Sequence, residues 1–195
     1  MRSCIILCGG ISRRMGQDKG LMLLHGQPMI LSIIKTLECV VNEIILVLRN
    51  NEQLNKYQKV LDDNDVNVKF FIDLKMDQGP LMGLLTGLSN IKSDGALILP
   101  CDSPYVSIEF INEIFTLAKE GHYQALVPSW PDGSLEPLHA YYRKESIPII
   151  KKTLSEGLRD VKSLLKKLKV NYVDISKLEI NKSSFTNLNY PHDIS

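Results

Sequence analysis

From residue 3 to residue 127, short apolar runs alternate with stretches of helical periodicity, and few topologies bury such a pattern. A strand that is apolar at nearly every position must be covered on both faces, and the intervening helices are what cover it. The expected strands are Ser3–Cys8, Glu43–Leu48, Val68–Ile72, Ala96–Leu99 and Ala125–Val127. Between them the spacing predicts helices over Met29–Cys39, Glu52–Leu61, Leu81–Ile91 and Ile108–Lys119. Pro80 opens the third of these and Ser107 can cap the fourth. The rhythm specifies an α/β fold, a doubly wound and mainly parallel sheet with helices on both faces. After Trp130 the pattern changes. The turn signal Pro131-Asp132-Gly133-Ser134 leads into an alternating strand, Leu135–Arg143, open to antiparallel pairing. Two basic helical segments follow, Glu145–Leu154 and Asp160–Leu168, and then a last run at Val170–Ile175.

No repeat, low-complexity linker or composition break divides the chain, so residues 1–195 are expected to form one domain with its own core. A formal net charge of +1 gives no electrostatic case for binding nucleic acid or a membrane surface. No apolar stretch is long enough to span a bilayer, and the apolar run after Arg2 stops at Gly9, too soon for a secretory leader. A cytoplasmic location is expected. The four cysteines show no Cys-x-x-Cys or zinc spacing and are expected to be buried, reduced thiols. Lysines 151, 152, 162, 166, 167 and 169 are expected to form a solvated helix face.

The chemistry is concentrated where strands end. Cys4-Ile5-Ile6-Leu7 runs into Cys8-Gly9-Gly10 and then a loop carrying Arg13, Arg14 and Lys19. Glycines let backbone N–H groups approach an anion closely, and the cations would meet a polyphosphate. The loop is neither of the commoner phosphate motifs. Lys19 is followed by Gly20 rather than Ser or Thr, and Gly9 and Gly10 are adjacent rather than alternating. Asp73 follows the third strand and Pro100-Cys101-Asp102-Ser103-Pro104 the fourth, which puts all three segments at the ligand-binding edge of a doubly wound sheet. From position alone, Asp102 is either a helix cap or a ligand of a hard cation such as magnesium, which takes one or two carboxylates together with substrate phosphates. Asp73, on the same grounds, is a turn cap.

Leu7-Cys8-Gly9-Gly10-Ile11-Ser12-Arg13-Arg14-Met15-Gly16-Gln17-Asp18-Lys19 resembles the Leu-x-Gly-Gly-x-Ser-x-Arg-Met-Gly-x-Asp-Lys loop of molybdenum cofactor guanylyltransferases. Pro100-Cys101-Asp102-Ser103-Pro104 resembles their Pro-Cys-Asp-x-Pro motif, and Gly79-Pro80-Leu81-Met82-Gly83 their Gly-Pro-Leu-x-Gly. Glu136-Pro137-Leu138-His139-Ala140 is similar to a Pro-x-x-Ala strand. Phe185-Thr186-Asn187-Leu188-Asn189-Tyr190-Pro191 is similar to a C-terminal Phe-x-Asn-x-Asn-x-Pro motif, with Tyr190 where threonine is usual. One family feature, an asparagine near Val47 at the end of the second strand, is missing; Arg49, Asn50 and Asn51 follow instead.

The resemblance implies a Rossmann-like nucleotidyltransferase fold and transfer of GMP from GTP to a molybdopterin-type acceptor, with release of pyrophosphate. It implies that Asp102 holds Mg²⁺ and that Lys19 and Arg14 neutralise phosphate charge. It further implies that the backbone at Leu7, Cys8 and Gly9 reads the base, that Asp73 contacts ribose or base, and that Asn187 and Asn189 face the acceptor. Leu-x-Gly-Gly in place of the Ala-Ala-Gly of the related cytidylyltransferases favours guanine. Transfer to another phosphorylated acceptor (a sugar phosphate or phospholactate), use of CTP, and non-catalytic nucleotide binding stay open. Accessory or acceptor-enzyme partners fit the resemblance but are identified by no residue. Of the histidines, only His139 is a candidate ligand contact; His25, His122 and His192 are expected at the surface or in structural roles.

Overall fold

A computed structural model describes residues 1–9, 18–64, 66–73, 78–178 and 182–188. Its strands are β1 (Ser3–Leu7), β2 (Leu23–Leu24), β3 (Gln27–Pro28), β4 (Glu43–Leu48), β5 (Lys69–Ile72), β6 (Gly95–Pro100), β7 (Ala125–Ser129), β8 (Tyr141–Arg143) and β9 (Val170–Asp174). The helices are α1 (Met29–Glu38), α2 (Asn51–Asp62), α3 (Pro80–Asn90), α4 (Ile108–Leu117), α5 (Ile147–Ser155) and α6 (Val161–Leu165).

Seven strands form the main sheet in the order β5-β4-β1-β6-β8-β7-β9. The pairs β4–β5, β1–β4, β1–β6 and β7–β9 are parallel, and β8 runs antiparallel between β6 and β7. Both faces are covered, as the near-continuous apolar strands require. On one face Cys4, Ile6 and Cys8 pack with Ile30, Ile33, Tyr57, Phe110 and Ile114 from α1, α2 and α4. On the other, Ile5, Ile45 and Ile98 pack with Leu84, Leu88, Ile150 and Leu164 from α3, α5 and α6.

This topology fixes the position of the site. From β1 the chain steps outward to β4 and β5, then returns across β1 to β6. Strand order therefore reverses between β1 and β6, where ligands of doubly wound sheets bind. Gly87 in α3 permits the close helix–sheet contact beneath that crevice, since a Cβ there would come within 2.6 Å of Ile5 Cγ2.

Several boundaries differ from expectation. The expected strand Leu135–Arg143 is reduced to Tyr141–Arg143; Leu135 makes only an isolated bridge to Ser129. Pro137, which has no N–H, stands in the interrupted stretch. A two-residue hairpin, β2–β3, closes through His25 (φ 50°) and Gly26 (φ 78°) before α1. Helix α1 ends one residue before the expected limit, leaving Cys39 exposed at its C-cap; Cys4, Cys8 and Cys101 are buried, and all four are free thiols. The six lysines of the expected solvated face are exposed.

Candidate active site

A cavity of about 620 Å³ opens at the carboxyl ends of β1, β4, β5 and β6. Leu7, Cys8, Gly9, Lys19, Asp73, Asp102 and Asn187, all singled out from sequence, line it together. Arg14 and Asn189, the remaining two, lie outside the described residues. Asp18, Arg49, Gln78, Gly79, Gly83 and Leu138 complete much of the wall.

Asp102 is not a helix cap. Helix α4 begins six residues later, and its cap is Ser107, whose Oγ accepts from Phe110 N at 3.2 Å. Asp102 instead stands just beyond β6, and its Oδ2 is 2.7 Å from Lys19 Nζ. Both side chains keep partial access to the cavity. A carboxylate and an ammonium are thus held on one wall, brought together from the ends of β6 and of the glycine loop.

Two residues that sequence reasoning missed, Gln53 and Tyr57, hold that loop in place. Gln53, a buried residue of α2, donates from Nε2 to Cys8 O at 2.8 Å and to Asp18 Oδ2, and its Oε1 accepts from Arg49 N at 2.7 Å. Tyr57, one turn further along α2, donates to Asp18 Oδ1 at 2.6 Å. Burial, with Cys8, Cys101 and Asp18 close by, pushes the Tyr57 hydroxyl well above its usual range, so it remains the donor. Asp18 is therefore gripped at both oxygens, which fixes the direction in which Lys19 leaves. Gly20 is required at this point, because a Cβ would meet the Tyr57 hydroxyl and Cys101. A sequence signal for this existed: Gln53, Tyr57 and Leu61 form the buried stripe of α2, and a glutamine at a core position needs polar partners. Arg49 follows the end of β4 and lines the cavity, whereas Asn50 caps α2 by accepting from Gln53 N. Of the three residues offered in place of the missing asparagine, Arg49 is the one on the cavity wall.

The expected base-reading backbone is partly committed elsewhere. Cys8 N donates to Val47 O at 2.9 Å, Cys8 O accepts from Gln53, and Leu7 O accepts from Cys101 N at 3.3 Å. Gly9 is where the backbone comes nearest the opposite wall. A Cβ on Gly9 would sit 3.2 Å from Asp73 Oδ2, and one on Gly83 would sit 3.1 Å from Leu7 Cδ2 and 3.7 Å from Asp73 Oδ1. The two glycines leave a narrow slot beside the Asp73 carboxylate. Asp73 also accepts from Thr86 Oγ1 at 3.2 Å. Burial raises its carboxyl to about 6, with the Thr86 hydrogen bond opposing the shift. A half-buried carboxylate at the floor of a slot is suited to accept hydrogen bonds from an entering ligand.

The chain segment at 182–188 closes the far side. Leu188 N donates to Asp102 O at 2.9 Å, and Ser103 Oγ donates to Asn187 Oδ1 at 2.5 Å. His139, the candidate ligand contact among the histidines, is instead fully buried behind the wall, with Nε2 2.9 Å from Ser103 Oγ. The shortening of the 135–143 strand turns it there.

Among the described residues, no group of three or more His, Cys, Asp or Glu side chains could enclose a metal ion. The donor set at Asp102, one hard carboxylate beside an open cavity, fits a cation that completes its shell with substrate phosphates and water. Among the described residues no helix is long and apolar enough to cross a membrane.

Comparison with known proteins agrees with this geometry. Residues 4–172 match the MobA-like NTP transferase domain. A probable molybdenum cofactor guanylyltransferase of Methanothermobacter thermautotrophicus is 37% identical over 195 residues, covering 98% of this chain and 96% of that one. One of Methanosarcina mazei is 33% identical, covering 99% and 88%. The crystal structure of molybdopterin-guanine dinucleotide biosynthesis protein A from Archaeoglobus fulgidus superposes with a TM-score of 0.84 at 24% identity, covering 98% of this chain and 94% of that one, and supports the fold. With strand-end loops, cavity and matched residues in agreement, this chain is a nucleotidyltransferase and belongs to the MobA-like NTP transferase domain family.

Proposed function

We propose that the protein transfers GMP from GTP to the phosphate of molybdopterin, forming the guanine dinucleotide cofactor and releasing pyrophosphate. The observation that carries this reading is the cavity at the β1–β6 reversal, with Lys19 and Asp102 on one wall and Asp73 in a glycine-walled slot on another. The near full-length relatives named as guanylyltransferases supply the base and the acceptor.

In the reaction an oxygen of the acceptor phosphate bonds to the α-phosphorus of GTP, and the bond from that phosphorus to the oxygen bridging to the β-phosphate breaks. The nucleophile is already anionic, so no general base is obligatory. Catalysis rests on in-line positioning and on neutralising charge. Lys19, held at the stem by the Asp18–Gln53–Tyr57 grip, exchanges Asp102 for a phosphate oxygen as nucleotide enters. Arg14 adds a second cation from the same loop. Asp102 holds the metal, read as Mg²⁺, whose bound charge would offset the negative charge growing on the departing pyrophosphate. The Gly9–Gly83 slot takes the nucleoside, with Asp73 accepting from its ribose or base and Leu7, Cys8 and Gly9 forming the adjoining edge. Asn187 and Asn189 face the acceptor. The reaction belongs in the cytoplasm on this reading.

A thermal-shift panel of the four nucleoside triphosphates with Mg²⁺, followed by pyrophosphate release on adding molybdopterin, tests the proposal. GTP should stabilise most and release should require the acceptor. Preference for CTP, or turnover only with a sugar phosphate, would overturn it.

A further inference from the structure

Behind the cavity wall runs a polar relay, buried at His139 and Ser103, that no step above uses. Trp130 Nε1 donates to Glu136 Oε1 at 2.8 Å, and the second oxygen, Glu136 Oε2, lies 3.4 Å from His139 Nδ1. His139 Nε2 is 2.9 Å from Ser103 Oγ, which donates to Asn187 Oδ1 at 2.5 Å. His139 and Ser103 are fully buried and so cannot touch substrate, whereas Asn187 lines the cavity. The rings of Phe185 and Phe110 stand edge-on to the imidazole, with centroids 5.4 and 6.4 Å away, and hold it in this orientation. Burial raises the Glu136 carboxyl, but the neighbouring His139 ring and the Trp130 hydrogen bond outweigh that and hold it below the usual glutamate value.

We propose that Glu136, His139 and Ser103 are positioning residues that hold the Asn187 carboxamide with its nitrogen edge, a hydrogen-bond donor, turned toward the phosphate of the acceptor. The inference rests on the reading of Asn187 as an acceptor contact and goes beyond it by fixing which edge is presented. A hydroxyl has one proton. Ser103 directs it to Asn187 Oδ1, so in the contact with His139 the ring Nε2–H is the donor. His139 Nδ1 then faces a carboxylate, and that contact is favourable when the Glu136–His139 pair shares one further proton. Without that proton the relay runs in reverse. Nδ1–H donates to Glu136, Ser103 donates to Nε2, and Ser103 accepts from the amide nitrogen, so that Asn187 presents its oxygen instead. An amide oxygen repels a phosphate, while an amide N–H makes a charge-assisted hydrogen bond to it. The donor arrangement is the one in the structure and the one the acceptor needs. The bond from Leu188 N to Asp102 O ties the same segment to the metal-binding turn, so the relay sets the amide relative to Asp102 as well.

The test uses full-length Ser103→Ala, Asn187→Ala and the double variant, with KM and kcat measured separately for GTP and molybdopterin. Ser103→Ala should raise the molybdopterin KM about tenfold, the size of one lost hydrogen bond, with the GTP KM unchanged. The double variant should be no worse than Asn187→Ala alone. Glu136→Ala should match Ser103→Ala. Glu136→Gln should restore function, because its amide supplies an N–H to Nδ1 while its oxygen still accepts from Trp130. Additive losses, an equal rise for GTP, or no rescue by glutamine would overturn the proposal. A substrate-free readout is the ¹⁵N side-chain amide signal of Asn187, which should move in Glu136→Ala and return in Glu136→Gln; an unmoved signal would overturn it. If wild-type protein releases no pyrophosphate with molybdopterin, the acceptor reading fails, and the Asn187 signal still decides whether the relay orients the amide.

Discussion

Replacing Gln53 with methionine keeps the length of the side chain but removes every hydrogen bond it makes beyond α2. Cys8 O and Arg49 N, both at the strand ends that frame the cavity, lose their partner, and Asp18 keeps only Tyr57 of its two grips. An unsatisfied buried group costs about 1–3 kcal/mol. Two orphaned backbone groups, partly offset by the easier burial of a thioether, give a loss of roughly 2–5 kcal/mol. That is a large share of the 5–15 kcal/mol typical of a folded domain. Urea unfolding of the ligand-free protein should show the loss as a lower midpoint with an unchanged slope. Below the transition, GTP affinity should fall by at least about tenfold, because the stem that aims Lys19 is no longer held. Gln53→Glu should be worse still, since it turns a carboxylate toward the Asp18 carboxylate. A destabilisation below about 1 kcal/mol, smaller than the cost of even one orphaned group, together with unchanged GTP affinity would refute the idea that Gln53 organises the loop.

Lys19→Ala should slow turnover by about 2–4 kcal/mol at the transition state. The unliganded melting temperature should barely move, because a partly exposed ion pair contributes at most about 1 kcal/mol; normal turnover in a stable variant would remove Lys19 from the mechanism. Gly9→Ala places a methyl 3.2 Å from Asp73 Oδ2, so it should weaken GTP more than CTP in competition binding, and equal losses would assign Gly9 to backbone or phosphate approach instead. Asp73, raised from 3.8 to about 6 by burial, holds a proton below that pH. Guanosine, which carries no titrating phosphate, should therefore bind more tightly as pH rises through about 6 and level off above it, with Asp73→Asn flat. Stability runs the other way, because between 3.8 and 6 the folded state holds the proton more firmly, so this group's contribution falls as pH rises across that window. A pH-independent guanosine affinity in the wild type would exclude Asp73 from the nucleoside contact.

The sheet was legible because its central strands are apolar at successive positions and its helices carry explicit start signals, Ser107 before α4 and Pro80 in α3. Those signals also decide Asp102: with Ser107 capping α4, the aspartate six residues ahead of the helix is left for the cavity. What escaped the sequence was what depends on long-range partners. Alternation over Leu135–Arg143 mimics a strand, yet apart from one isolated bridge at Leu135 the strand is confined to Tyr141–Arg143, and the stretch between turns His139 inward to meet Ser103, 36 residues away in sequence. Strands of two residues, such as β2 and β3, are too short to show any period. Gln53 falls on the apolar stripe of α2 and so calls for polar partners, but which partners those are emerges only when Cys8, Asp18 and Arg49 are assembled around it.

On the mechanism proposed above, Asp102 anchors the metal–nucleotide complex from which GMP is transferred. Pyrophosphate release from GTP and molybdopterin, measured against Mg²⁺ concentration in wild type and Asp102→Asn beside the melting temperatures of the unliganded proteins, tests it directly. The asparagine keeps the shape and one oxygen but removes the charge. The rate should collapse, the magnesium dependence should shift and be incompletely rescued, and the melting temperature should stay close to wild type. A variant with normal rate and normal magnesium dependence would contradict it.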